Sequence, residues 1–259
     1  MSDIFEEIVK LKKQGEPAAL ATIISSRGST PRDVGSKMII KTDGSTVESI
    51  GGGSMEAQVI KKAMNVIKNG KAEIVSLTLD TDNAAKEGAL CGGKLEVFIE
   101  PLIPAERLYI FGGGHISYYL VPMATAVNFQ LTIVDDREEF ANKERFPQAD
   151  EIIVGEFEKT TKDLSPNQHS YIVIVTRGHS YDELVLQWAL STKARYIGMI
   201  GSKSKIKTIF TNLEAKGISS SQLKKVYSPI GLGIGAQTPA EIAVSIIAEL
   251  IEVRRTKAI

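Results

Sequence analysis

The 259-residue sequence predicts an α/β fold in which a domain built on a parallel sheet follows a smaller α+β domain. Three observations carry this reading. From Arg107 onward, short runs rich in Ile and Val (Leu108–Phe111, Leu131–Val134, Glu151–Val154, Tyr171–Val175, Tyr196–Ile200) alternate with segments able to be helical. That is the rhythm of parallel strands joined by crossover helices. Two prolines in Pro101-Leu102-Ile103-Pro104 then mark a break, which sets the domains at residues 1–104 and 105–259. The first run after the break leads directly into three glycines, Gly112 to Gly114.

In the first half, Ile4, Phe5, Ile8, Val9 and Leu11 recur at helical spacing, and Gly15-Glu16-Pro17 stops them. Ala18 to Ile24 and Lys37 to Lys41 read as neighbouring strands separated by a polar loop, with Thr42-Asp43-Gly44 as the closing turn. Ser54 to Lys68 has helical spacing with Asn69-Gly70 as its stop, and Glu73–Thr78 and Lys94–Glu100 are further strands. At the other end of the chain, Thr238-Pro239-Ala240-Glu241 carries a helix-start signal. Thr238 is the N-cap, Pro239 the first helical residue, and Glu241 completes a capping box.

Composition narrows the function classes. Lys plus Arg equals Asp plus Glu at 31 each, so no net positive field attracts a polyanion, and no nucleic-acid partner is expected. Cys91 is the single cysteine, and the opening residues lack a secretory pattern, so a reducing, cytoplasmic setting is expected. The most apolar stretch, Glu241 to Val253, is shorter than the roughly 20 residues a bilayer crossing needs, so no membrane role is expected. Nor do a lone cysteine and three histidines suggest a metal site.

Gly112-Gly113-Gly114-His115-Ile116-Ser117 matches G-x-G-x-x-G with Ser117 in the third glycine position, which makes the second half a Rossmann-type dinucleotide-binding domain. Gly112 permits the tight turn and Gly114 lets a pyrophosphate approach the backbone at the start of a helix, whose free N–H groups favour an anion. Asp135 lies 23 residues beyond Gly112, near the spacing of the acid that takes ribose hydroxyls, and favours NAD. Arg137 leaves room for the phosphorylated ribose of NADP. His115 either contacts a phosphate or caps local backbone. His179 and Asp182 follow the run Tyr171–Val175 and are candidates for acid–base work, the alternative being an N-cap aspartate beside a surface histidine. His169 reads as a surface residue. Gly201-Ser202-Lys203-Ser204-Lys205 offers donors to an anion or is an exposed basic helix start.

In the first half, Gly51, Gly52 and Gly53 lead through Ser54 and Glu56 into a helix, a junction able to hold an anion, although the Glu56 carboxylate opposes a simple phosphate site. Arg32, in Gly28-Ser29-Thr30-Pro31-Arg32, can fork onto phosphate or carboxylate. Cys91 is flanked by Gly92-Gly93, and a ligand or its backbone can approach its sulfur there; simple buried packing is the alternative.

Several stretches together, GSTPRDVGSKMII (28–40), GGGSMEAQVIKKA (51–63), CGGKLEVFIEP (91–101), YIFGGGHISYYLVPMA (109–124), TIVDDREEFANKERFP (132–147), RYIGMIGSKSK (195–205) and SPIGLGIGAQTPAEIAVSIIAEL (228–250), resemble the XdhC/CoxI family of xanthine dehydrogenase accessory factors. The resemblance implies a maturation factor that binds molybdenum cofactor, assists its sulfuration by a cysteine desulfurase and delivers it to an apo molybdenum hydroxylase, acting as a homodimer and as a chaperone more than a catalyst. It places Arg32, Gly51, Gly52, Gly53, Ser54, Glu56 and Cys91 near that cofactor. Gly112, Gly114, His115, Asp135 and Arg137 remain the dinucleotide candidates. Thr176-Arg177-Gly178-His179 departs from the family's order, so the resemblance gives that loop no catalytic role. Two other functions stay open on the residues alone: an NAD(P)-dependent oxidoreductase using His179, and a nucleotide-sensing partner protein.

Overall fold

The computed structural model describes residues 3–28, 30–78 and 93–256. The chain divides into two compact units, Met1–Pro104 and Ala105–Ile259.

The first unit is an antiparallel sheet of β1 (Ala18–Arg27), β2 (Lys37–Lys41), β3 (Thr46–Val47), β4 (Glu73–Thr78) and β5 (Lys94–Leu102), ordered β3-β2-β1-β5-β4. Successive strand residues face opposite ways, and β1 shows why each face is covered. Ala19, Ala21 and Ile23 join Met38, Ile40, Val97 and Ile99 beneath α2 (Gly53–Asn69), which contributes Met55, Val59, Ala63 and Val66. Ala18, Leu20 and Ile39 pack with Leu11 of α1 (Ile4–Gln14). Asp3 caps α1 by accepting from the Phe5 N–H, and Gly15 ends it in the left-handed conformation. The two-residue β3 is too short to leave a periodic signal in the sequence.

The second unit is a five-stranded parallel sheet of β6 (Arg107–Phe111), β7 (Gln130–Asp135), β8 (Glu151–Val154), β9 (Ser170–Ile174) and β10 (Tyr196–Met199), ordered β10-β9-β6-β7-β8. The chain starts in the middle strand, fills one side, and crosses to the other after β8. That reversal puts a topological switch point between β6 and β9, where open α/β sheets take their ligands. The helices are α3 (His115–Ala126), α4 (Phe157–Thr160), α5 (His179–Ala189), α6 (Lys203–Ala215), α7 (Ser220–Leu223) and α8 (Pro239–Arg255). β6 is buried on both faces: Leu108 and Ile110 pack with α3 and α8, and Tyr109 and Phe111 with α5 and α6. This is why its sequence is a continuous apolar run rather than an alternation.

The chain beyond β10 is bolted to α8. Glu249 is buried there, and its carboxylate accepts from the Tyr196 hydroxyl and, at 3.1 Å, from the Gly231 N–H. Ser245 donates to the Leu232 carbonyl at 2.9 Å. The predicted capping box is formed, with Thr238 accepting from the Glu241 N–H at 3.3 Å and Glu241 from the Thr238 N–H at 2.9 Å. No helix among the described residues is long and apolar enough to cross a membrane.

Removing the Thr238 hydroxyl frees an N–H at the start of α8. Thr238→Ala is expected to lower unfolding stability by about 1 kcal/mol, read as a shift in the urea midpoint at unchanged slope.

Candidate functional site

In the second unit the candidate site is the loop from β6 into α3. Gly112 has a φ of 105° and donates its N–H to the Val134 carbonyl at 2.8 Å. A Cβ there would collide with the carbonyl of Val175, and one on Gly113 would collide with the carbonyl of Phe140. Gly114 differs. Its φ of −73° suits any residue, and a Cβ would meet nothing within 4 Å. Neither conformation nor packing requires glycine at 114, and the open space fits the close approach of a phosphate-bearing ligand to the first turn of α3. Ser117, in the third glycine position, is fully buried and donates its hydroxyl to the Gly112 carbonyl, tying helix to strand. His115 is exposed at the start of α3.

The ribose side of a dinucleotide fits less well. Asp135 is 1% exposed, and both of its oxygens are engaged. Oδ2 accepts from the Gly113 N–H at 2.8 Å and Arg137 Nη2 at 3.1 Å; Oδ1 accepts from Arg137 N at 3.1 Å and Nε at 3.0 Å. Burial alone would raise the Asp135 carboxyl, but Arg137 and the Gly113 N–H outweigh it and hold it below the usual range. Asp136 is bridged by Arg177 Nη2 at 2.7 Å. The segment after β7 also lies against the glycine loop, where Arg145 Nε donates to the Gly113 carbonyl at 3.0 Å. Arg145 and Phe140 carry no sequence pattern that would have singled them out.

The structure does not pair His179 with Asp182. His179 is exposed at the first position of α5, behind an N-cap supplied by Gly178. Asp182 is fully buried inside the helix and reaches back to accept from Thr176 Oγ1 at 2.6 Å and Thr176 N at 3.2 Å, with Lys205 as its ion-pair partner. Burial pushes the Asp182 carboxyl up, with Lys205 and Thr176 pulling the other way. Asp182 is therefore neither an N-cap nor partner to a histidine; it locks the β9–α5 turn to α6. The 201–205 segment is likewise partly used internally, since Ser202 caps α6 and Lys205 holds Asp182. His169 is half-buried rather than on the surface, and burial lowers its pKa.

In the first unit, the loop at Pro31 and the glycine junction meet: a Cβ on Gly51 would collide with Cγ of Pro31. Gly51, Gly52 and Gly53 have φ values of 137°, 78° and 65°, a conformation that side chains rarely adopt. Ser49 accepts from the Gly51 N–H at 3.1 Å and donates to Glu56 Oε2 at 3.1 Å, so Glu56 braces the junction from the first turn of α2. Ser54 is exposed beside it. Nearby is a cavity of about 470 Å³ walled by Asp3, by Ile4 and Phe5 of α1, and by Arg32, Gly35, Ser36, Lys37, Glu48 and Ser49. Glu48 holds a φ of 63°, uncommon outside glycine. Ser36, Lys37, Glu48 and Ser49 escaped the sequence reading because no motif joins them; a hairpin of β2 and β3 brings their two segments together. Cys91 lies outside the described residues. Among those residues no group of three or more His, Cys, Asp or Glu could hold a metal ion.

The second unit is thus a Rossmann domain, and the first is a smaller unit built on an antiparallel sheet. A family profile described as the XdhC Rossmann domain matches residues 108–250, and one for the XdhC and CoxI family matches residues 11–78. The chain belongs to the XdhC and CoxI family. Among its relatives, the uncharacterized protein YqeB of Escherichia coli (strain K12) is 31% identical over 97% of this chain and 46% of its own length. A protein of Bacillus subtilis (strain 168) named as a probable component of xanthine dehydrogenase is 30% identical over 63% of this chain and 47% of its own length. The molybdenum cofactor insertion chaperone PaoD of Escherichia coli (strain K12) is 21% identical over 95% of this chain and 86% of its own length. The chain spans about half the length of the first two of these relatives. The crystal structure of a xanthine dehydrogenase from Bacillus halodurans aligns over all of this chain and 97% of its own, with a TM-score of 0.54 and 26% identity.

Two outcomes follow from this geometry. Gly112→Ala, which meets both backbone strain and a carbonyl, is expected to cost more than about 2 kcal/mol of stability, whereas Gly114→Ala stays within about 0.5 kcal/mol of the parent in chemical denaturation. Asp135→Asn is expected to cost about 2–3 kcal/mol at pH 7, since it breaks a buried charged pair. Because the folded pKa of Asp135 lies below its unfolded value, that stabilisation is present above about pH 4 and fades as pH falls through the folded pKa. Melting curves of parent and variant should therefore converge in acid.

Proposed function

We propose that this protein is an accessory factor for a xanthine dehydrogenase-type molybdenum hydroxylase, binding molybdenum cofactor and assisting its sulfuration and insertion. The observation that carries the reading is the meeting of the Pro31 loop with Gly51–Gly53 beside a cavity of mixed charge. A pterin phosphate needs cations and N–H donors at its phosphate and acceptors along its amino-pyrimidinone edge. Arg32 and Lys37 supply the cations; Glu48 supplies the acceptors, with Ser36 as an adaptable hydroxyl. Similarity to a molybdenum cofactor insertion chaperone over most of both chains supports the same reading. When bound, the cofactor supplies a molybdenum centre for the hydroxylase. In this reading the chain's residues hold the phosphate and orient the pterin, and Cys91 keeps the cofactor-handling role that the resemblance implies. A cysteine desulfurase and the apo-hydroxylase are the partners it requires, and a homodimer is its working form.

The oxidoreductase alternative is weakened by the engagement of Asp135 and by that of Asp182, which is held by Thr176 and Lys205 rather than by His179.

The test is to purify the protein without air from cells that make molybdenum cofactor, denature it, and measure oxidised pterin fluorescence. Near-stoichiometric pterin is expected from the parent. An Arg32→Ala, Lys37→Ala double variant should retain about tenfold less, as should Cys91→Ala if the thiol touches the cofactor. Freshly loaded parent protein that releases no pterin would sink the proposal.

A further inference from the structure

A glycine loop, a following helix and an acid at the end of the second strand are the pattern by which a Rossmann domain holds a dinucleotide: phosphates on the helix start, ribose hydroxyls on the acid. Here the first part is open and the second is shut. An ionised carboxylate has about four lone-pair sites for hydrogen bonds. Asp135 accepts four, two on each oxygen, from the Gly113 N–H and from three nitrogens of Arg137. A ribose diol would have to displace donors that are already placed, two of them from a charged guanidinium. Arg137 is committed through its charge: two of its five guanidinium N–H groups span both oxygens of Asp135, Asp136 stands beside it, and its face lies 3.7 Å from the centroid of the Phe140 ring, so a ribose phosphate would meet a cation already paired with carboxylates. The next carboxylate, Asp136, is bridged by Arg177 at 2.7 Å and lies 3.7 Å from Arg137 Nε.

The backbone reinforces the closure. The Phe140 carbonyl sits where a side chain on Gly113 would be, and Arg145 donates to the carbonyls of Gly113 and Gly114 at 3.0 and 3.4 Å. Freeing Asp135 for a ligand therefore means moving the segment that runs from Arg137 to Arg145 off the glycine loop.

We infer that the carboxylates at the end of β7 are internal anchors, with Arg137 as their latch, so that this Rossmann domain reads neither the ribose diol of NAD nor the ribose phosphate of NADP. Gly113, the position the dinucleotide pattern leaves free, is glycine here because the latching segment crosses it. This inference concerns the second unit alone, and its readout is separate from that of the pterin reading.

The test leaves the protein unaltered and varies the ligand. The full chain is titrated calorimetrically with NAD+, with NADP+ and with the NAD+ analogue lacking the adenosine-side 2′-hydroxyl. The expected result is either no saturable binding up to 2 mM, or three dissociation constants within threefold of one another. A diol held by a free carboxylate loses about tenfold or more when one hydroxyl is removed, because the acceptor is left unpaired. A loss of threefold or more with the deoxy analogue would overturn the role given to Asp135 and Asp136. NADP+ binding threefold or more tighter than NAD+ would overturn the role given to Arg137.

Discussion

Backbone crowding at the end of β6 is the constraint on which the second unit turns. β6 is the middle strand and is buried on both faces, so the chain leaving it has one exit, between the ends of β7 and β9. The Val175 carbonyl closes that exit on one side and the Phe140 carbonyl on the other, and only backbone without Cβ passes between them. Once Gly112 and Gly113 are through, the N–H of Gly113 faces Asp135 and α3 begins at His115. The direction of the helix, the burial of Ser117 beneath it and the position of the acid all follow from that passage.

Much of this was legible because the signals are local. A run of apolar residues, three glycines, a helix and an acid at a set distance lie in one stretch of sequence, and each has its own physical reason. The capping box at Thr238 was readable for the same cause: both of its bonds join residues three apart. What was not legible depends on contacts across the fold. Arg137 is visible beside Asp135, yet nothing in the sequence says that it turns back onto it, or that Phe140 and Gly113 meet from separate segments. Asp182 was read as a partner for His179 or as a cap. It is neither, since Gly178 occupies the cap position and Lys205, on another helix, supplies the charge that keeps a buried carboxylate there.

The first unit divides in the same way. Its strands and helices follow from alternation and helical spacing, apart from β3. The glycine triplet stands out in the sequence, and so does the arginine at 32. That the two loops touch through Pro31 and Gly51, and that Arg32, Lys37 and Glu48 line one cavity, depends on a hairpin whose second strand is too short to announce itself. The mixed charge of the cavity is invisible in the balanced composition of the chain.

The glycine triplet also bears on the unfolded chain. Glycine loses more conformational freedom on folding than any other residue, and fixing one backbone position already opposes folding by about 1–2 kcal/mol. Three in succession, each held at positive φ, concentrate that loss where the chain enters α2, whose first residue is Gly53. At Gly52 a Cβ would lie 3.9 Å from the Glu56 carboxylate, so it is the backbone conformation rather than crowding that calls for glycine there. That loss is opposed by the contacts of the neighbours, Ser49 through its bonds to Gly51 and Glu56 and Pro31 through its packing on Gly51.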